Sequence, residues 1–430
     1  MSRVHHDCDV LIVGGGPAGM AAAHCAAQSG QRVSMVDDNP GPGGQIWRTD
    51  VAGPSTPAAA AWLRRVEGTS VQVIAGARVF DQPEAGLLLA ETEEGVCSLG
   101  YRKLILATGA RERFLPFPGW TLPNVMGAGG LQALVKSGLS PAGKRVVVAG
   151  SGPLLLAVAA YLRKRGAQVR LIAEQAPRKS LLRFGLGLLR QPAKAFQALA
   201  LKKQLSGIPY LTGCWPVAAL GEEKLSGVTL RQGSKTWNVE CDYLACGFHL
   251  VPNLELPILI GCELQDGAVR VDQYQETSVA GVYCAGEPTG IGGLDLSLVE
   301  GQIAGHAAVG RHDAARQLFP ARERHQRFAR ALNRAFALRD ELKLLPQPGT
   351  LVCRCEDVAF ERLAGYDSWR AAKLQTRCGM GPCQGRICGA ATEFLFGWGT
   401  ESVRPPIFPV RVESLACPAP VASEMINQSQ

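Results

Sequence analysis

The sequence predicts an α/β fold with two dinucleotide-binding (Rossmann-like) domains, the second inserted in the first, followed by a small C-terminal helical module. Three observations lead to this prediction. A glycine-rich turn follows an apolar strand near the N-terminus, a second such turn begins at Gly150, and cysteines concentrate near the C-terminus. A chain of 430 residues, with 47% hydrophobic and 19% charged residues, can form two or three domains with buried cores.

The first glycine turn lies between two apolar runs, DVLIV at 9–13 and RVSMV at 32–36, and an alanine-rich segment after it predicts a helix over 20–29. Small residues let such a turn close, let its backbone approach a pyrophosphate and let the helix pack on the strand. The helix N-terminus then faces the phosphates, and an acid after the second strand can bind a ribose. The candidate cofactor-binding residues are Gly14, Gly16, Pro17, Ala18, Gly19 and Asp37.

Three further blocks indicate which dinucleotide is bound: PGGQ at 42–45, the apolar run LILATG at 104–109, and TSVAGVYCAGE at 277–287. The ordered set resembles flavoproteins with two dinucleotide-binding domains, and this resemblance implies FAD. In that family the last block carries an acid to the flavin ribityl chain, usually Asp where this chain has Glu. The blocks add Gly44, Gln45, Thr108, Gly109, Gly286 and Glu287 to the candidate FAD-binding residues.

Because the blocks lie more than 160 residues apart, we predict an FAD-binding domain formed by 1–117 and 239–310. The inserted domain then occupies 118–238. A basic helical linker follows at 311–346.

The second glycine turn departs from the pattern of a working nicotinamide site. Its sixth position holds Leu155, where close packing of helix and strand needs Gly or Ala. Glu174, at the end of the next strand, would disfavour the 2′-phosphate of NADPH. We expect the fold of a nicotinamide domain in which NADH use is disfavoured, and whether it holds any nucleotide stays open.

Disulfide-reductase chemistry is not expected, because no C-x-x-C pair occurs in the sequence. Cys241 and Cys246 have C-x4-C spacing, but the residues between them indicate a buried strand, so we interpret both as core residues. No acid–base pair stands beside the flavin motifs. His249 and His306 are interpreted as packed or capping residues, and no catalytic residue is assigned.

The C-terminal module concentrates thiols, since five of the 14 cysteines lie between Cys353 and Cys388. Structural zinc favours C-x2-4-C pairs, whereas C-x-C with a distant C-x4-C suits a [2Fe-2S] cluster in which two thiolates hold each iron. The segment resembles the BFD-like [2Fe-2S] module, especially at GMGPCQG, and we place that module at 347–400 before a tail at 401–430. The resemblance implies the ligands Cys353, Cys355, Cys383 and Cys388, with Cys378 as the alternative for one position.

Four blocks extend a resemblance to the α subunits of opine and D-hydroxyproline dehydrogenases, a group with a related member among the subunits of hydrogen cyanide synthase. They are ATGARER at 107–113, FPGWTLPNVM at 117–126, CGFHLVPN at 246–253 and RPPIFPV at 404–410. With the FAD and cysteine motifs, the likeness covers nearly the whole chain. It implies an oxidoreductase subunit acting on CH–NH donors within a hetero-oligomer.

In that group a β subunit resembling D-amino-acid oxidase, with room for a small γ subunit, oxidises a secondary amine or imino acid such as D-hydroxyproline or an opine. FMN at the subunit interface is usual. The α subunit passes electrons to an acceptor such as a quinone. Two other hypotheses stay open: a stand-alone NADH-dependent flavin reductase, which needs a working second turn, and a non-enzymatic redox sensor or scaffold.

The charge pattern bears on partners and location. The formal charge of +8 is modest, and no Lys/Arg-rich stretch is interleaved with aromatics, so nucleic-acid binding is not expected. The basic segment 178–203 contains more Leu and Phe than a solvated helix should, so docking to a partner or a membrane surface and plain core packing both stay open. No run reaches the roughly 20 apolar residues of a membrane span. We expect a cytoplasmic chain, with contact at the inner face of the membrane as one option.

Overall fold

The computed structural model describes residues 4–48, 56–188, 191–399 and 403–416. Its strands are β1 (Val4–Val13), β2 (Val33–Asp37), β3 (Gln72–Ala75), β4 (Arg78–Glu84), β5 (Leu87–Glu91), β6 (Val96–Leu106), β7 (Ala110–Glu112), β8 (Val125–Gly127), β9 (Arg145–Ser151), β10 (Gln168–Glu174), β11 (Tyr210–Thr212), β12 (Cys214–Leu220), β13 (Gly227–Gln232), β14 (Lys235–Glu240), β15 (Tyr243–Phe248), β16 (Leu250–Pro252), β17 (Leu264–Gln265), β18 (Ala268–Val269), β19 (Val282–Cys284), β20 (Leu351–Cys353) and β21 (Val358–Ala359).

The helices are α1 (Pro17–Ala27), α2 (Pro57–Glu67), α3 (Ala128–Lys136), α4 (Leu154–Lys164), α5 (Arg178–Leu188), α6 (Pro192–Gln204), α7 (Glu255–Ile260), α8 (Leu294–Ala308), α9 (His312–Gln317), α10 (Phe319–Ala335), α11 (Trp369–Thr376), α12 (Cys388–Phe396) and α13 (Val412–Ala416). Short 3₁₀ helices lie at Glu287–Thr289, Asp340–Leu344 and Phe360–Leu363. Among the described helices, none combines the length and the apolar character that crossing a bilayer requires.

The first sheet joins strands from both ends of the chain. Its order is β3–β2–β1–β6–β5–β4, and β19 pairs in parallel with the C-terminal part of β6. Strand alternation sends Val10 and Ile12 towards α1 and α8, and sends Leu11 and Val13 to the opposite face. Helix α8 packs closely on α1, because a Cβ at Gly301 would overlap the backbone of α1. The strand from 282–284 therefore completes the N-terminal dinucleotide fold, as the sequence predicted.

The second sheet has the order β11–β10–β9–β15–β8, and every neighbouring pair in it is parallel. Helices α3 and α4 cover one face, where Val146, Val148 and Leu155 are buried together. The antiparallel sheet β12–β13–β14 covers the other face. Two dinucleotide-type folds, the second inserted in the first, are therefore confirmed.

The domain boundary requires a correction. We expected the chain to return to the first domain at 239, but β15 pairs with β9 and β8 in the second sheet. Phe114 and Phe117 also belong to that domain's core, beside Phe248. The two crossings lie at β7 and β16, which pair antiparallel with each other. A six-residue apolar strand fits either parallel sheet, so its local sequence could not decide between them.

The C-terminal module consists of the β20–β21 hairpin with α11 and α12, around a core that includes Val352, Leu363 and Trp398. The linker before it forms α9 and α10, as predicted. Of the predicted tail at 401–430, only 403–416 lies within the described residues. That part is fastened to the first sheet, because the Ile407 amide donates to Phe80 O at 2.9 Å.

Candidate functional site

The first glycine turn begins where β1 ends. The Gly14 amide donates to Val36 O at 2.8 Å, and the Ala107 amide donates to Val13 O at 2.8 Å, so three strands meet at this turn. A Cβ at Gly14 would overlap Ala107 O, and one at Gly19 would overlap Gly14 O. Both positions therefore need glycine. Pro17 opens α1, where a missing amide hydrogen costs no helical hydrogen bond.

The other predicted blocks converge on the same turn. The Gly43 amide donates to Gly15 O at 2.8 Å, so the PGGQ segment lies across the turn. A Cβ at Gly286 would lie 2.8 Å from the Ala18 Cβ, which brings the C-terminal block against α1. Thr108 and Gly109 follow β6, directly beside β1. The structure thus brings the candidate residues together at one edge of the sheet, with Gln45 exposed at the rim.

The two predicted acids are engaged with backbone amides. The Asp37 carboxylate accepts from the Gly15 amide and, at 2.8 Å, from the Asn39 amide. The Glu287 carboxylate accepts from the Gly293 amide at 2.9 Å and from the Gly292 amide at 3.2 Å, and burial raises the pKa of Glu287. Both acids therefore order the glycine segments, and a ribose or ribityl hydroxyl would share their remaining lone pairs.

Glu300 is a third acid at this edge, and the sequence reasoning missed it. Its side chain is 3% exposed. One carboxylate oxygen accepts from the Gly286 amide at 3.0 Å and from the Thr289 hydroxyl at 2.8 Å. Burial raises the pKa of Glu300 to about 7. A single acid within the apolar helix α8 was the available sequence signal.

The residues at this edge fit an FAD. A Cβ built at Gly109 would meet no atom within 4 Å, and one at Gly16 would meet only Gly44 Cα at 3.9 Å. Open space therefore lies beside both the turn and the end of β6. The N-terminus of α1 supplies unpaired amides for a diphosphate.

The second glycine turn is covered by the chain itself. The Ser151 hydroxyl, inside that turn, donates to Phe336 O at 2.8 Å. The amide nitrogen of the Gln175 side chain, directly after β10, donates to Phe336 O at 3.3 Å and to Ala337 O at 3.1 Å. The Phe336 ring is 5% exposed and lies 5.8 Å from the Phe184 ring of α5.

The position of Phe336 coincides with where a dinucleotide would lie, since these folds bind their ligand at the carboxyl ends of the strands. Glu174, the acid expected at a ribose, accepts instead from the Gly152 and Ala176 amides, each at 2.8 Å. Burial raises the pKa of Glu174 to about 7. Leu155 is buried between helix and strand, as its size requires.

The thiols between the two sheets are core residues. Cys241 and Cys246 have no exposed surface, and burial raises the pKa of Cys241 to about 12. Burial also lowers the pKa of His249 and of His306. The interpretation of the two cysteines as packed side chains is therefore confirmed.

The C-terminal cysteines form one contiguous group. The sulfurs of Cys353, Cys378 and Cys388 lie within 4.8 Å of one another, and all three residues are buried. The half-buried Cys383 contacts Cys388 on one side and the exposed Cys355 on the other. The four predicted ligands thus form two neighbouring pairs, Cys353 with Cys388 and Cys355 with Cys383, while Cys378 lies behind the first pair.

The environment of these sulfurs suits thiolates. Hydrogen bonds from the Cys378 and Cys388 thiols hold the pKa of Cys353 well below its usual range, and the Gly379 amide approaches its sulfur at 3.5 Å. The Cys388 thiol, followed by backbone amides, lowers the pKa of Cys383 to about 5. Thiolates are the ligands of an iron–sulfur cluster, so the group fits one.

A hydrogen-bonded network, the Arg111–Arg386 bridge, joins the two candidate sites. Asn253 holds the turn after β6, because its side-chain amide donates to Thr108 O at 2.8 Å. The Arg111 guanidinium donates to Asn253 Oδ1 at 2.9 Å and pairs with Glu255 at 3.0 Å. Its Nε donates to Arg386 O at 3.0 Å, in the loop between Cys383 and Cys388. The flavin-side turn and the cysteine loop therefore share one set of contacts.

Arg386 extends this bridge to the C-terminal segment. Its guanidinium donates to Ile407 O at 2.6 Å and to Cys383 O at 3.3 Å, and it lies 3.9 Å from the centre of the Phe408 ring. The sequence reasoning used Arg111 and Asn253 only as parts of a resemblance. Their partners lie 142 and 275 residues apart along the chain, so no local pattern revealed the bridge.

Known proteins resemble this chain over most of its length. Hydrogen cyanide synthase subunit HcnB of Pseudomonas protegens is 33% identical over 88% of this chain and 89% of its own. An opine oxidase subunit of Agrobacterium tumefaciens is 32% identical over 95% of this chain and 91% of its own. Both names describe subunits of larger enzymes.

The crystal structure of L-proline dehydrogenase from P. horikoshii matches the fold with a TM-score of 0.67, at 19% identity, over 97% of this chain and 81% of that one. Residues 8–308 match the sequence family described as pyridine nucleotide-disulphide oxidoreductase. That match spans both dinucleotide folds. The chain therefore belongs to the pyridine nucleotide-disulphide oxidoreductase family.

Proposed function

We propose that this chain is the FAD- and [2Fe-2S]-containing electron-transfer subunit of a hetero-oligomeric dehydrogenase. The complex would oxidise a secondary amine or imino acid, such as D-hydroxyproline or an opine, and this chain would pass the electrons to an acceptor such as a quinone. The observation that carries the proposal is the Arg111–Arg386 bridge, which fixes the FAD-side turn against the cysteine loop. The names of the two relatives above support the choice of substrate class.

Each part of the chain has a role in this proposal. The α1 N-terminus and the glycine turn would hold the diphosphate of FAD. Cys353, Cys355, Cys383 and Cys388 would hold the cluster. When bound, the flavin supplies two-electron chemistry and the cluster supplies one-electron chemistry. Asn253 and Arg111 keep the two sites in register, because both contact the turn after β6 or its neighbour.

The covered second fold favours electron entry from a partner subunit over entry from NADH. Phe336 lies across the ends of β9 and β10, and Leu155 fills the sixth position of the turn. A nicotinamide dinucleotide would have to displace the end of α10 and break its hydrogen bonds to Ser151 and Gln175. We assign the oxidation of the amine to a β subunit resembling D-amino-acid oxidase, with FMN at the shared interface.

Anaerobic purification of this chain with its candidate β subunit, followed by visible spectroscopy, tests the proposal. We expect D-hydroxyproline or an opine to bleach the flavin and [2Fe-2S] bands only when the β subunit is present. NADH should leave the spectrum of the isolated chain unchanged. Bleaching of the isolated chain by NADH would overturn the proposal in favour of a nicotinamide-dependent reductase.

A further inference from the structure

The outer surface of α5 and α6 belongs to neither candidate site. Four large apolar side chains are exposed there: Leu182, Leu186, Phe196 and Leu199, with exposed fractions of 58, 69, 75 and 65%. On α5 the two leucines are four residues apart, and on α6 the two residues are three apart, so each pair shares a helix face. An exposed apolar set of this size marks contact with another surface.

The charges around these side chains have one sign. Between Glu174 and Glu222 the sequence contains no Asp or Glu. The exposed basic residues of the two helices are Arg178, Lys179, Arg183, Lys202 and Lys203. A surface that combines Leu and Phe with a cationic border complements a layer of acyl chains beneath anionic headgroups.

The inner sides of both helices are already fastened to the body of the chain. The Lys194 ammonium pairs with Asp295 at 2.6 Å and lies 5.3 Å from the Phe328 ring of α10. The Phe184 ring of α5 lies 5.8 Å from the same Phe328 ring. The exposed apolar side chains are therefore not waiting for the fold to close over them.

We propose that the outer faces of α5 and α6 bind the surface of a membrane that contains anionic lipids. Lysine is depleted in protein–protein interfaces, whereas interfacial membrane helices carry Lys and Arg beside Leu and Phe. The composition of this surface matches the second case. The inference stands apart from the electron relay, since it concerns neither cofactor site nor the bridge.

Sedimentation of the full chain with vesicles tests the inference. Vesicles of phosphatidylcholine mixed equally with phosphatidylglycerol should bind the protein, and high salt should weaken that binding. The double variant Leu186→Ser/Phe196→Ser should lower the partition coefficient by about tenfold or more, because two apolar anchors are lost. The matched control is Leu344→Ser/Leu374→Ser, whose leucines are 82% and 62% exposed elsewhere and should leave binding unchanged.

A charge variant separates the headgroup contribution. Lys179→Gln/Lys202→Gln/Lys203→Gln should weaken binding to the anionic vesicles and leave the small binding to pure phosphatidylcholine unchanged. The inference is overturned if the wild-type chain stays in the supernatant, or if the Leu186→Ser/Phe196→Ser variant sediments like the wild type. Loss of the β subunit from that variant, with vesicle binding intact, would instead make this surface a protein interface. None of these readouts uses electron transfer, so a failure here is distinct from a failure of the relay.

Discussion

Arg111 shows how single residues connect the parts of this chain. Its guanidinium reaches Asn253, Glu255 and Arg386, which belong to the turn region after β16, to α7 and to the cysteine loop. Because Asn253 in turn holds Thr108, one side chain links the FAD-side turn to the module that carries the thiols. A neutral side chain of similar length would lose the fork of donors that makes this possible.

We predict that Arg111→Gln slows electron transfer from the flavin to the cluster by about tenfold or more, since small displacements of reacting groups have large rate effects. Flavin and iron contents should remain those of the wild type. Stopped-flow absorbance on the assembled complex measures the rate. Arg354→Gln, which changes an exposed arginine beside two cysteines, is the matched control. An unchanged rate in Arg111→Gln would remove the bridge from the account.

The arrangement of the sulfurs leads to a second prediction. Cys353 with Cys388, and Cys355 with Cys383, form two neighbouring pairs, and [2Fe-2S] clusters take two thiolates per iron. Cys383→Ser should therefore lose the cluster, while Cys378→Ser should keep its iron and acid-labile sulfide. Chemical analysis of the purified variants gives the answer. The opposite result would place Cys378 among the ligands.

Glu300 leads to a prediction about pH. Its pKa is raised from 4.5 to about 7 in the folded chain, so the native state binds more protons than the unfolded state between these values. The free energy of unfolding must then fall as pH rises through this range, by about 3 kcal/mol from this group. Glu300→Gln can keep both hydrogen bonds, because they end on one oxygen, and it should remove this part of the pH dependence.

Denaturant unfolding of wild type and Glu300→Gln at several pH values provides the measurement. The variant should gain stability relative to the wild type as pH rises from about 4 to about 8. Glu222→Gln, at an exposed position, controls for the general effect of removing a carboxylate. Parallel pH profiles for Glu300→Gln and the wild type would contradict the assignment.

At the scale of elements, the end of α10 determines what the second dinucleotide fold can do. Phe336 is buried against α5, and its carbonyl accepts hydrogen bonds from Ser151 and Gln175. The sequence predicted α10 as a basic helical linker and identified Leu155 as unusual. It gave no sign that the linker returns to cover the turn, because that contact joins segments more than 160 residues apart.

We predict that Phe336→Ala lowers the free energy of unfolding by about 3–5 kcal/mol, as expected for a truncated buried aromatic side chain. The carbonyl hydrogen bonds survive this substitution, so the loss reports the ring alone. Phe196→Ala, at a ring that is 75% exposed, should change stability by about 0.5 kcal/mol or less. Chemical denaturation measures both. Equal effects of the two variants would show that Phe336 is not a packed closure of the second fold.

The elements themselves were largely predictable from sequence. The strands at 9–13, 32–36 and 168–173 lie within or overlap the observed β1, β2 and β10, because glycine turns and apolar runs act locally. Strand β15 was recognised as a buried strand but assigned to the wrong sheet. The choice between two parallel sheets depends on pairing with β9, which is distant in sequence. For the same reason the bridge and Glu300 became visible only in the folded chain.

At the scale of the whole molecule, three units form one path. The first dinucleotide fold holds the predicted FAD residues at one edge, the inserted fold is closed by Phe336, and the cysteine module lies against the turn after β6 through the bridge. The C-terminal segment fixes this arrangement, because Ile407 bonds to β4 while accepting from Arg386. The account therefore requires that electrons enter from outside the chain and leave through the cysteine module.

Low-temperature EPR of the anaerobic complex with its β subunit is the most direct test of that claim. After addition of D-hydroxyproline or an opine, the account predicts the signal of a reduced [2Fe-2S] cluster in the complex and none in the isolated chain. The same substrate should give a weaker early signal in Arg111→Gln. A cluster signal raised by NADH in the isolated chain, or a complex whose flavin is reduced while its cluster stays oxidised, would contradict it.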